Sequence, residues 1–262
     1  MANMTSSVSA SQVAGELASA TFEEIPALVE HYREDPRQQV IKACERALKR
    51  HAKELSERER VNDMYELMHE LGGDGVVVGV DEVGRGSVAG PLTVCAVCLP
   101  MEPRIWGIND SKKLTPARRE LLSVKIAEVA TAIGFCHIAP ADIDEMGMAR
   151  AIRAAVAGAV ADTGLEPDCV LMDGNPLGAV PNERDVVKGD AKIACIAAAS
   201  IMAKVTRDEM MVEYDAEYPE YHLAESKGYA SPDHIEAIRK HGLSPLHRVS
   251  FCGNFLQTER LF

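Results

Sequence analysis

Apolar residues recur along the chain with two different periods. Before Gly73 they follow helical spacing, as Val40 and Cys44 do, which predicts a helical N-terminal region. After Gly73, short apolar runs of strand length alternate with longer segments of helical pattern. This change predicts two parts, a helical extension over residues 1–72 and an α/β domain over residues 73–262.

Three helices are predicted in the extension, after a small and polar start that indicates disorder to about residue 10. Thr21 and Glu24 have capping-box spacing, and Asp35 precedes a proline at the first helical position. A further possible capping box begins at Ser56. The predicted helices therefore cover residues 21–32, 35–55 and 56–72.

Five strands and five helices are predicted in the α/β domain. The strands lie near residues 76–80, 92–99, 134–139, 169–172 and 184–187. The helices lie near residues 116–133, 142–162, 191–205, 208–218 and 233–241. Three early strands followed by strand-helix alternation predict a mixed five-stranded sheet with helices on its faces and a helical C-terminal region.

The first candidate for chemistry is the end of the strand Val76–Val80. This run of β-branched residues is typical of a strand buried on both faces, and it stops at two adjacent carboxylates, Asp81 and Glu82. Such carboxylates repel each other, and one pKa rises unless a divalent cation or a basic group compensates the charge. A helix N-cap or a solvated turn would explain the acidic pair equally well if it stood alone.

The residues after the acidic pair indicate a ligand. Gly84 and Gly86 flank Arg85, so a single cation lies between two residues that let the backbone approach a ligand closely. Gly90 and Pro91 then close the loop. The stretch is typical of a site with a metal on one side and an anionic group on the other.

Two further acids lie at the ends of buried elements. Asp173 follows a second buried strand, and Asp190 precedes a helix rich in alanine and isoleucine. Open α/β sheets bind ligands at such strand ends. Together with Asp81 and Glu82 they make four carboxylates without a histidine or cysteine cluster, which suits Mg²⁺ or Mn²⁺ rather than Zn²⁺. Two such ions can activate water and stabilise the leaving oxygen in phosphodiester hydrolysis.

Charge and composition narrow the function classes only partly. The net charge of -12 over 262 residues argues against a general affinity of the whole surface for nucleic acid but permits a local basic groove. The seven scattered cysteines predict no disulfide framework, and Cys95 and Cys98 lack the second pair that a zinc site needs. No membrane-spanning run or signal peptide is found, so a cytoplasmic location is expected.

Several segments then carry a resemblance to a known family. They are DEVGRG at 81–86, DSKKL at 110–114, MDG at 172–174, KGDAK at 188–192, IAAASIMAK at 196–204, KGY at 227–229 and HRVSF at 247–251. Together they resemble the bacterial type 2 ribonuclease H family, ribonuclease HII, over essentially all of residues 76–252.

The resemblance implies a ribonuclease H fold and cleavage on the 5′ side of a ribonucleotide, in an RNA/DNA hybrid or in duplex DNA, leaving a 3′-hydroxyl and a 5′-phosphate. The family's four catalytic, metal-binding carboxylates match Asp81, Glu82, Asp173 and Asp190. Its segment that recognises the 2′-hydroxyl matches Gly84, Arg85 and Gly86, together with Tyr229. Close approach through glycines and a tyrosine that stacks on a sugar are physically suited to that task.

Further residues are predicted to contact the substrate. Arg85, Lys112 and Lys188 are expected on phosphates, where they fix register without reading base sequence. Ser200 and Lys204 are expected to reach the substrate backbone, although a serine in an alanine-rich helix also serves packing alone. The remaining candidates for bases or phosphate contacts are His222, His234, His241, His247 and Arg248, and an ordinary surface or core role is the simpler interpretation of each histidine.

Departures from the family pattern are few. Ser87 replaces a usual proline, and Ala230 and Ser231 follow Tyr229 where glycine or proline and then threonine are more usual. None of these removes a ligand. The C-terminal segment 257–262, QTERLF, faintly resembles a tail that binds a sliding clamp, with spacing unlike the usual bacterial form.

The sequence therefore predicts a monomeric, metal-dependent endoribonuclease that acts on RNA/DNA hybrids and on ribonucleotides embedded in duplex DNA, with a role in ribonucleotide removal and DNA repair. One alternative is a non-catalytic nucleic-acid-binding protein of the same fold, but buried carboxylates without a metal would be a liability to it. The other is a related metal-dependent nuclease acting on DNA alone, which would leave Gly84, Arg85, Gly86 and Tyr229 unexplained.

Overall fold

A computed structural model of the chain describes residues 8–256. Contacts divide the chain into two compact units, Met1–Arg60 and Val61–Phe262. The boundary between the units falls inside one long helix, whereas the change of sequence pattern comes at the end of that helix. The C-terminal tail at 257–262 lies outside the described residues.

The first unit is helical. Its helices are α1 (Ala10–Ser19), α2 (Ile25–His31) and the first part of α3 (Gln38–Gly72). Ser9 caps α1 in a reciprocal capping box with Gln12, and this helix is one that the apolar pattern did not predict. The apolar residues at its core are Val13, Leu17, Ile25, Val40 and Ala47. These residues bury one face of each helix.

The break predicted between two helices near Leu55 is wrong. Ser56 and Glu59 lie inside α3, which continues without interruption to Gly72. Their spacing matches a capping box, but a cap forms only where the preceding backbone leaves the helix. No glycine or proline lies between Gln38 and Leu71 to end the helical hydrogen bonding, so α3 continues through the serine.

The second unit is built on a mixed five-stranded sheet, as predicted. Its strands are β1 (Val77–Val83), β2 (Leu92–Cys98), β3 (Ala132–Ile138), β4 (Cys169–Asp173) and β5 (Glu183–Val186). The spatial order is β3-β2-β1-β4-β5, so β1 is central. Its pairing with β2 is antiparallel, whereas its pairing with β4 is parallel. The fourth strand in the sequence, β4, therefore lies on the side of β1 opposite to β2.

The helices of this unit differ from the predicted segments in one division, one fusion and two short helices that were not predicted individually. The helices are α4 (Pro116–Val129), α5 (Pro140–Met146), α6 (Met148–Asp162), α7 (Ala194–Glu217), α8 (Leu223–Ser226), α9 (Pro232–His241) and α10 (Val249–Cys252), of which α8 and α10 are the two short ones. The predicted helix 142–162 is divided at Gly147, whose φ of +78° ends α5. Conversely, the segments 191–205 and 208–218 form the single helix α7, because no helix-breaking residue separates them.

Helices cover both faces of the sheet. On one face α7 packs with Cys95, Val97 and Leu171, and on the other α6 packs with Val80 and Val94. A Cβ at Gly79 would lie 2.3 Å from the backbone carbonyl carbon of Cys195, so only glycine allows α7 to approach β1 this closely. No helix within residues 8–256 has the length and apolar character needed to cross a membrane.

The C-terminal region forms a third apolar cluster beside the loop that follows β1. It joins Val88 and Ala89 of that loop to Met211 of α7 and to residues of the last helices, among them Ile238 and Cys252. The loop is therefore part of a packed layer, and its shape depends on the C-terminal helices.

Candidate active site

Parallel pairing of β1 and β4 brings the predicted carboxylates to one edge of the sheet. Val80 pairs with Met172, so Asp81 and Asp173 occupy the next positions along neighbouring strands. Asp173 is the last residue of β4, whereas β1 continues past the predicted end at Val80 and includes both Asp81 and Glu82, because it still pairs with β2 as far as Val83. Asp190 lies in the short 3₁₀ turn Gly189–Ala191 that precedes α7. The backbone N–H of Gly189 donates a hydrogen bond of 2.7 Å to Asp173 Oδ1 and ties that turn to the end of β4.

Asp81 and Asp190 are buried, Glu82 and Asp173 are half-buried, and the carboxylates act on one another. Burial, followed by the negative charge of Glu82, raises the pKa of Asp81 to about 8, although the Ser200 hydroxyl acts in the opposite direction. Burial also raises the pKa of Glu82, and the neighbouring Arg85 offsets part of this effect. Burial, Asp173 and another nearby carboxylate raise the pKa of Asp190. This edge of the sheet therefore holds more negative charge than it can accommodate, as cation sites do before the cation binds.

The described carboxylates do not form a compact cage of metal ligands. Within residues 8–256, no three or more histidine, cysteine, aspartate or glutamate side chains are already grouped in a way that could hold a metal ion. The donor set itself, which is only carboxylate oxygen, fits a hard divalent cation, and the raised pKa of Asp81 shows the excess charge that such a cation would relieve.

Lys112 forms an ion pair with Asp190. Its Nζ lies 3.8 Å from Asp190 Oδ2, while 79% of its side chain is exposed. Burial acts to lower the pKa of Lys112, but Asp190, Asp81 and neighbouring carboxylates outweigh it and raise that pKa. The Asp110 side chain accepts a hydrogen bond of 2.9 Å from the Lys112 backbone N–H, which shapes the turn that presents the lysine. Lys112 is thus charged, accessible and adjacent to the acids.

Ser200 is buried and joins two elements of the site. Its Oγ lies 2.9 Å from Ser111 Oγ, so α7 is linked to the turn that carries Lys112. Only 1% of Ser200 is exposed, and its hydroxyl also lowers the pKa of Asp81. In this structure the serine therefore contacts the acids and the lysine turn.

The predicted recognition loop follows β1 directly. Gly84 has φ +89°, and a Cβ there would lie 2.3 Å from Arg207 Nε, so this position requires glycine. Gly86 has open space where a Cβ would lie. Arg85 is exposed, and its Nη1 lies 3.4 Å from Glu82 Oε1. The loop therefore presents its arginine outwards beside the acidic pair.

Two buried arginines hold this loop from inside the protein. Arg207 donates to the carbonyl oxygens of Pro91, Ala89 and Lys227 at 2.9, 3.1 and 2.8 Å. Arg248 donates to the carbonyl oxygens of Gly90 and Arg85, with its shortest bond at 2.9 Å to Gly90. Neither side chain is exposed, so their donors are used on the backbone of the loop.

These arginines were not predicted in this role. Arg248 was predicted as a possible phosphate contact, but it is fully buried, so its guanidinium supports the loop instead. Arg207 was not singled out at all. It lies on the buried face of α7 at helical spacing from Ala203 and Met211, and a charged residue on an otherwise apolar helical face is the signal that would have identified it.

Tyr229 lies beside the recognition loop. The Gly228 carbonyl oxygen accepts backbone hydrogen bonds of 2.9 Å from Val88 and 3.1 Å from Ala89. The Tyr229 side chain is 42% exposed, and the Arg207 guanidinium carbon lies 5.8 Å from the centre of its ring. The structure thus brings the loop and the tyrosine, which are far apart in the sequence, next to each other.

The other two predicted lysines form no ion pair with the acids among the described contacts. Lys188 is exposed in the turn before α7 and has φ +58°. Lys204 Nζ donates to Asp208 Oδ1 at 2.7 Å, one turn further along α7. Lys204 also lines a groove of about 600 Å³ that Pro116, Val212 and Lys227 border.

Comparisons with known proteins match nearly the whole described chain. A family model described as ribonuclease HII matches residues 78–254, and one described as the ribonuclease HII N-terminal domain matches residues 9–71. A relative named ribonuclease HII from Geobacillus thermodenitrificans is 41% identical, with 85% of this chain and 87% of the relative covered. A ribonuclease HII from Ruminiclostridium cellulolyticum is 43% identical, with coverage of 77% and 80%.

Solved structures agree with this picture. The ribonuclease H2 from Pyrococcus horikoshii is similar with a TM-score of 0.59 and 26% identity, over 70% of this chain and 99% of that one. The ribonuclease HII of Archaeoglobus fulgidus, in a complex with PCNA, is similar with a TM-score of 0.58 and 25% identity, over 66% and 94%. A ribonuclease HIII in complex with Mn²⁺ shares the fold, with a TM-score of 0.56 and 20% identity, over 70% and 68%.

Proposed function

The chain belongs to the ribonuclease HII family and is an endoribonuclease acting on RNA in RNA/DNA hybrids, and we propose that the acidic edge formed by β1, β4 and the turn before α7 is its active site. This rests on one observation above all, the arrangement of Asp81 and Asp173 on paired strands with the turn of Asp190 tied to Asp173 through Gly189. The raised pKa of Asp81, caused by burial and by the charge of Glu82, agrees with this arrangement. Membership of an enzyme family also leaves the two alternatives, a binding protein and a DNA-only nuclease, without support.

Asp81, Glu82, Asp173 and Asp190 would hold the divalent cations, Mg²⁺ or Mn²⁺, through carboxylate oxygens. The bound cations would activate the attacking water and stabilise the leaving 3′-oxygen, so that cleavage leaves a 3′-hydroxyl and a 5′-phosphate. The residues of the chain prepare this site. Gly189 orients the Asp173 carboxylate, and the Ser200 hydroxyl favours the ionised form of Asp81, which is the form that binds a cation.

Recognition of the substrate is assigned to the surface beside the acids. Gly84, Arg85, Gly86 and Tyr229 are proposed to recognise the 2′-hydroxyl of the ribonucleotide 3′ to the cleaved phosphodiester, because that hydroxyl distinguishes RNA from DNA. The accessible backbone at Gly86 and the exposed ring of Tyr229 support this assignment. Because recognition does not depend on base identity, a single ribonucleotide in duplex DNA is proposed as a substrate alongside longer hybrids.

Phosphate contacts are assigned to exposed cations around the acids. Lys112 has the strongest case, since it is accessible and lies 3.8 Å from Asp190. Arg85 and Lys188 are exposed and are proposed to contact flanking phosphates. Contacts from Ser200 and Lys204 stay predictions, and the first of these would require the buried serine to act through the residues it touches.

The cellular role is proposed from the substrate. Removal of ribonucleotides from DNA is a repair step, and an enzyme that performs it must reach the DNA, which for relatives from bacteria lies in the cytoplasm. We propose action as a monomer, and docking of the tail at 257–262 onto a sliding clamp. Deleting the tail should abolish binding to a bacterial clamp in fluorescence polarisation and leave cleavage of a short duplex unchanged.

One assay tests the central proposal. The protein is incubated with Mg²⁺, and separately with Mn²⁺, together with an end-labelled DNA duplex that contains one ribonucleotide. An all-DNA duplex of the same sequence serves as control. A single cut 5′ to the ribonucleotide, absent from the control and lost with a chelator, supports the assignment. Cutting of both duplexes would contradict recognition of the 2′-hydroxyl.

A further inference from the structure

Two histidines form a buried pair that the catalytic site does not use directly. His234 lies on α9 and is 0% exposed, and His247 precedes α10 and is 3% exposed. Their Nε2 atoms are 3.1 Å apart. Each ring also has a second polar partner, so both nitrogens of both histidines are engaged. Buried imidazoles with every nitrogen satisfied have a defined protonation pattern, which the partners determine.

The partners of His247 determine which nitrogen of each ring carries the proton, and so which group donates to which. The backbone N–H of Ser244 donates to His247 Nδ1 at 3.0 Å, so this nitrogen is an acceptor and carries no proton. The ring proton is therefore on Nε2, which donates to His234 Nε2. That leaves the proton of His234 on Nδ1, which donates to the Tyr229 carbonyl oxygen at 2.9 Å. The Ser244–Tyr229 chain thus runs one way, from Ser244 through both histidines to Tyr229.

The chain ends at the backbone of the residue assigned to recognition. The Tyr229 carbonyl oxygen also accepts a hydrogen bond of 2.8 Å from the Ser231 N–H, and the Tyr229 N–H donates to the Ser226 carbonyl oxygen at 3.0 Å. The Tyr229 backbone is thus held through both its N–H and its carbonyl group, while the Tyr229 ring stays exposed. A lost donor at His234 would leave this carbonyl with one partner and free the peptide to rotate.

The same segment also supports the recognition loop. Arg248, next to His247, donates its backbone N–H to the Val88 carbonyl oxygen at 2.8 Å, and Gly90 donates to the Leu246 carbonyl oxygen at 2.8 Å. One end of the histidine chain is therefore fixed to the loop after Gly86, and the other end to Tyr229. The two halves of the recognition surface share a single internal support.

Resting on the proposed role of Tyr229, we propose that His247 and His234 are positioning residues, which hold the Tyr229 backbone through a directional chain of neutral imidazoles and so set ribonucleotide recognition. Their neutrality follows from the surroundings. A proton added to either ring would place a donor against a donor. Burial and the partner histidine lower the pKa of His247 to about 4, and burial lowers the pKa of His234, with His222 adding to that effect.

No acid faces the pair to favour a charged ring. The titratable side chains that contact the pair or act on its pKa are Tyr221, whose ring centre lies 4.7 Å from that of His247, and His222. Neither of these provides a negative charge at neutral pH. On the neighbouring segment, the Arg248 guanidinium is bound to loop carbonyls, and Asp144 accepts from the Val249 and Ser250 N–H groups and does not act on the pKa of either histidine. The chain is therefore expected to keep its direction at neutral pH.

A double-mutant cycle tests the proposal. Cleavage of a duplex with one ribonucleotide is measured for the wild type, H234Q, Y229A and the combination. Glutamine places its amide near Nε2 and loses the donor to Tyr229, so H234Q should lower kcat/KM about tenfold or more. H234N, whose amide nitrogen occupies the place of Nδ1, should keep kcat/KM within about threefold of the wild type. In the Y229A background, H234Q should cause no further loss.

A spectroscopic measurement does not depend on any variant folding. In ¹⁵N-histidine-labelled wild type, His247 should show a proton on Nε2 and His234 a proton on Nδ1, with both rings neutral at pH 6. The opposite tautomers, or a charged ring at that pH, would overturn the chain. So would an H234Q loss that is unchanged when Tyr229 is already removed. Failure of the wild type to cut the duplex at all would instead overturn the proposed function.

Discussion

The backbone N–H of Gly189 donates to Asp173 Oδ1 at 2.7 Å, and this bond connects the end of a central strand to the turn that carries Asp190. The Asp173 carboxylate is thus oriented by a backbone group next to Asp190. Because the bond needs an oxygen acceptor but no charge, orientation and charge at Asp173 can be separated by mutation.

Asp173→Asn should abolish cleavage without harming the fold. The amide oxygen of asparagine still accepts from Gly189, whereas the negative charge that would hold the cation is lost. We expect kcat/KM to fall on the order of a thousandfold and the thermal midpoint to stay within about 2 °C. Asp173→Ala is the matched variant. It also removes the acceptor and should lower the midpoint by about 3 °C more. Turnover retained by D173N would remove Asp173 from the catalytic set.

Asp81→Asn should stabilise the metal-free protein, and more so as pH rises. The folded-state pKa of Asp81 is about 8 and its ordinary value is 3.8, so between these values the folded state holds a proton that the unfolded state releases. The stability that this group contributes is complete below about pH 4 and is lost as pH rises through 8. In EDTA, D81N should therefore gain on the order of a few kcal/mol over wild type at pH 8 and much less at pH 5.

Thermal unfolding at both pH values, with and without Mg²⁺, measures this effect. Added Mg²⁺ should stabilise the wild type and leave D81N nearly unchanged. A gain that is equal at pH 5 and pH 8 would contradict a raised pKa at Asp81.

The glycines of the recognition loop should respond differently to alanine. At Gly84, φ +89° and the Arg207 side chain leave no room for a methyl group, so G84A should lower the free energy of unfolding by about 2 to 4 kcal/mol. At Gly86 the space is open, so G86A should change it by less than about 0.5 kcal/mol. Urea unfolding compares the two variants. If G86A nonetheless cuts the ribonucleotide duplex more slowly, the loss arises at the substrate surface.

Lys112 and Lys113 are adjacent cations with different expected effects. Lys112 lies 3.8 Å from Asp190, whereas Lys113 makes no ion pair in the described contacts. K112A should weaken binding of the hybrid and make its salt dependence shallower by about one unit of log Kd per log unit of salt, because one phosphate contact is lost. K113A should change neither. Titrations at several salt concentrations, in Ca²⁺ to prevent cleavage, measure both slopes, and equal slopes would exclude Lys112 from the phosphate contacts.

Much of this site could be predicted because its acids lie at positions with a strong local pattern. Asp81 and Asp173 each end an apolar run, and Asp190 precedes a helix of unusual alanine content. The mixed sheet followed from the order of strands and helices in the same way. These features depend on residues that are close in sequence.

The supports of the site could not be predicted because their partners are distant backbone groups. Arg207 binds the carbonyl oxygen of Pro91, and His234 meets His247, although nothing in the local pattern links the members of either pair. Every residue has a backbone carbonyl group, so the sequence does not show which of them accepts a hydrogen bond from a distant side chain. The breaks predicted inside α3 and α7 were wrong for a related reason. A local signal, such as the capping pattern at Ser56, ends a helix only where tertiary structure lets the chain leave it.

The strand order has a consequence for how activity appears during synthesis. Asp81 and Glu82 belong to a strand that pairs with its sequence neighbour, but Asp173 is brought in only when β4 takes its place beside β1. Asp190 follows later still, with the turn that leads into α7. A nascent chain therefore contains two of the four carboxylates of the proposed site, Asp81 and Glu82, well before the other two have been synthesised. The four carboxylates can come together only after the chain has been synthesised as far as Asp190.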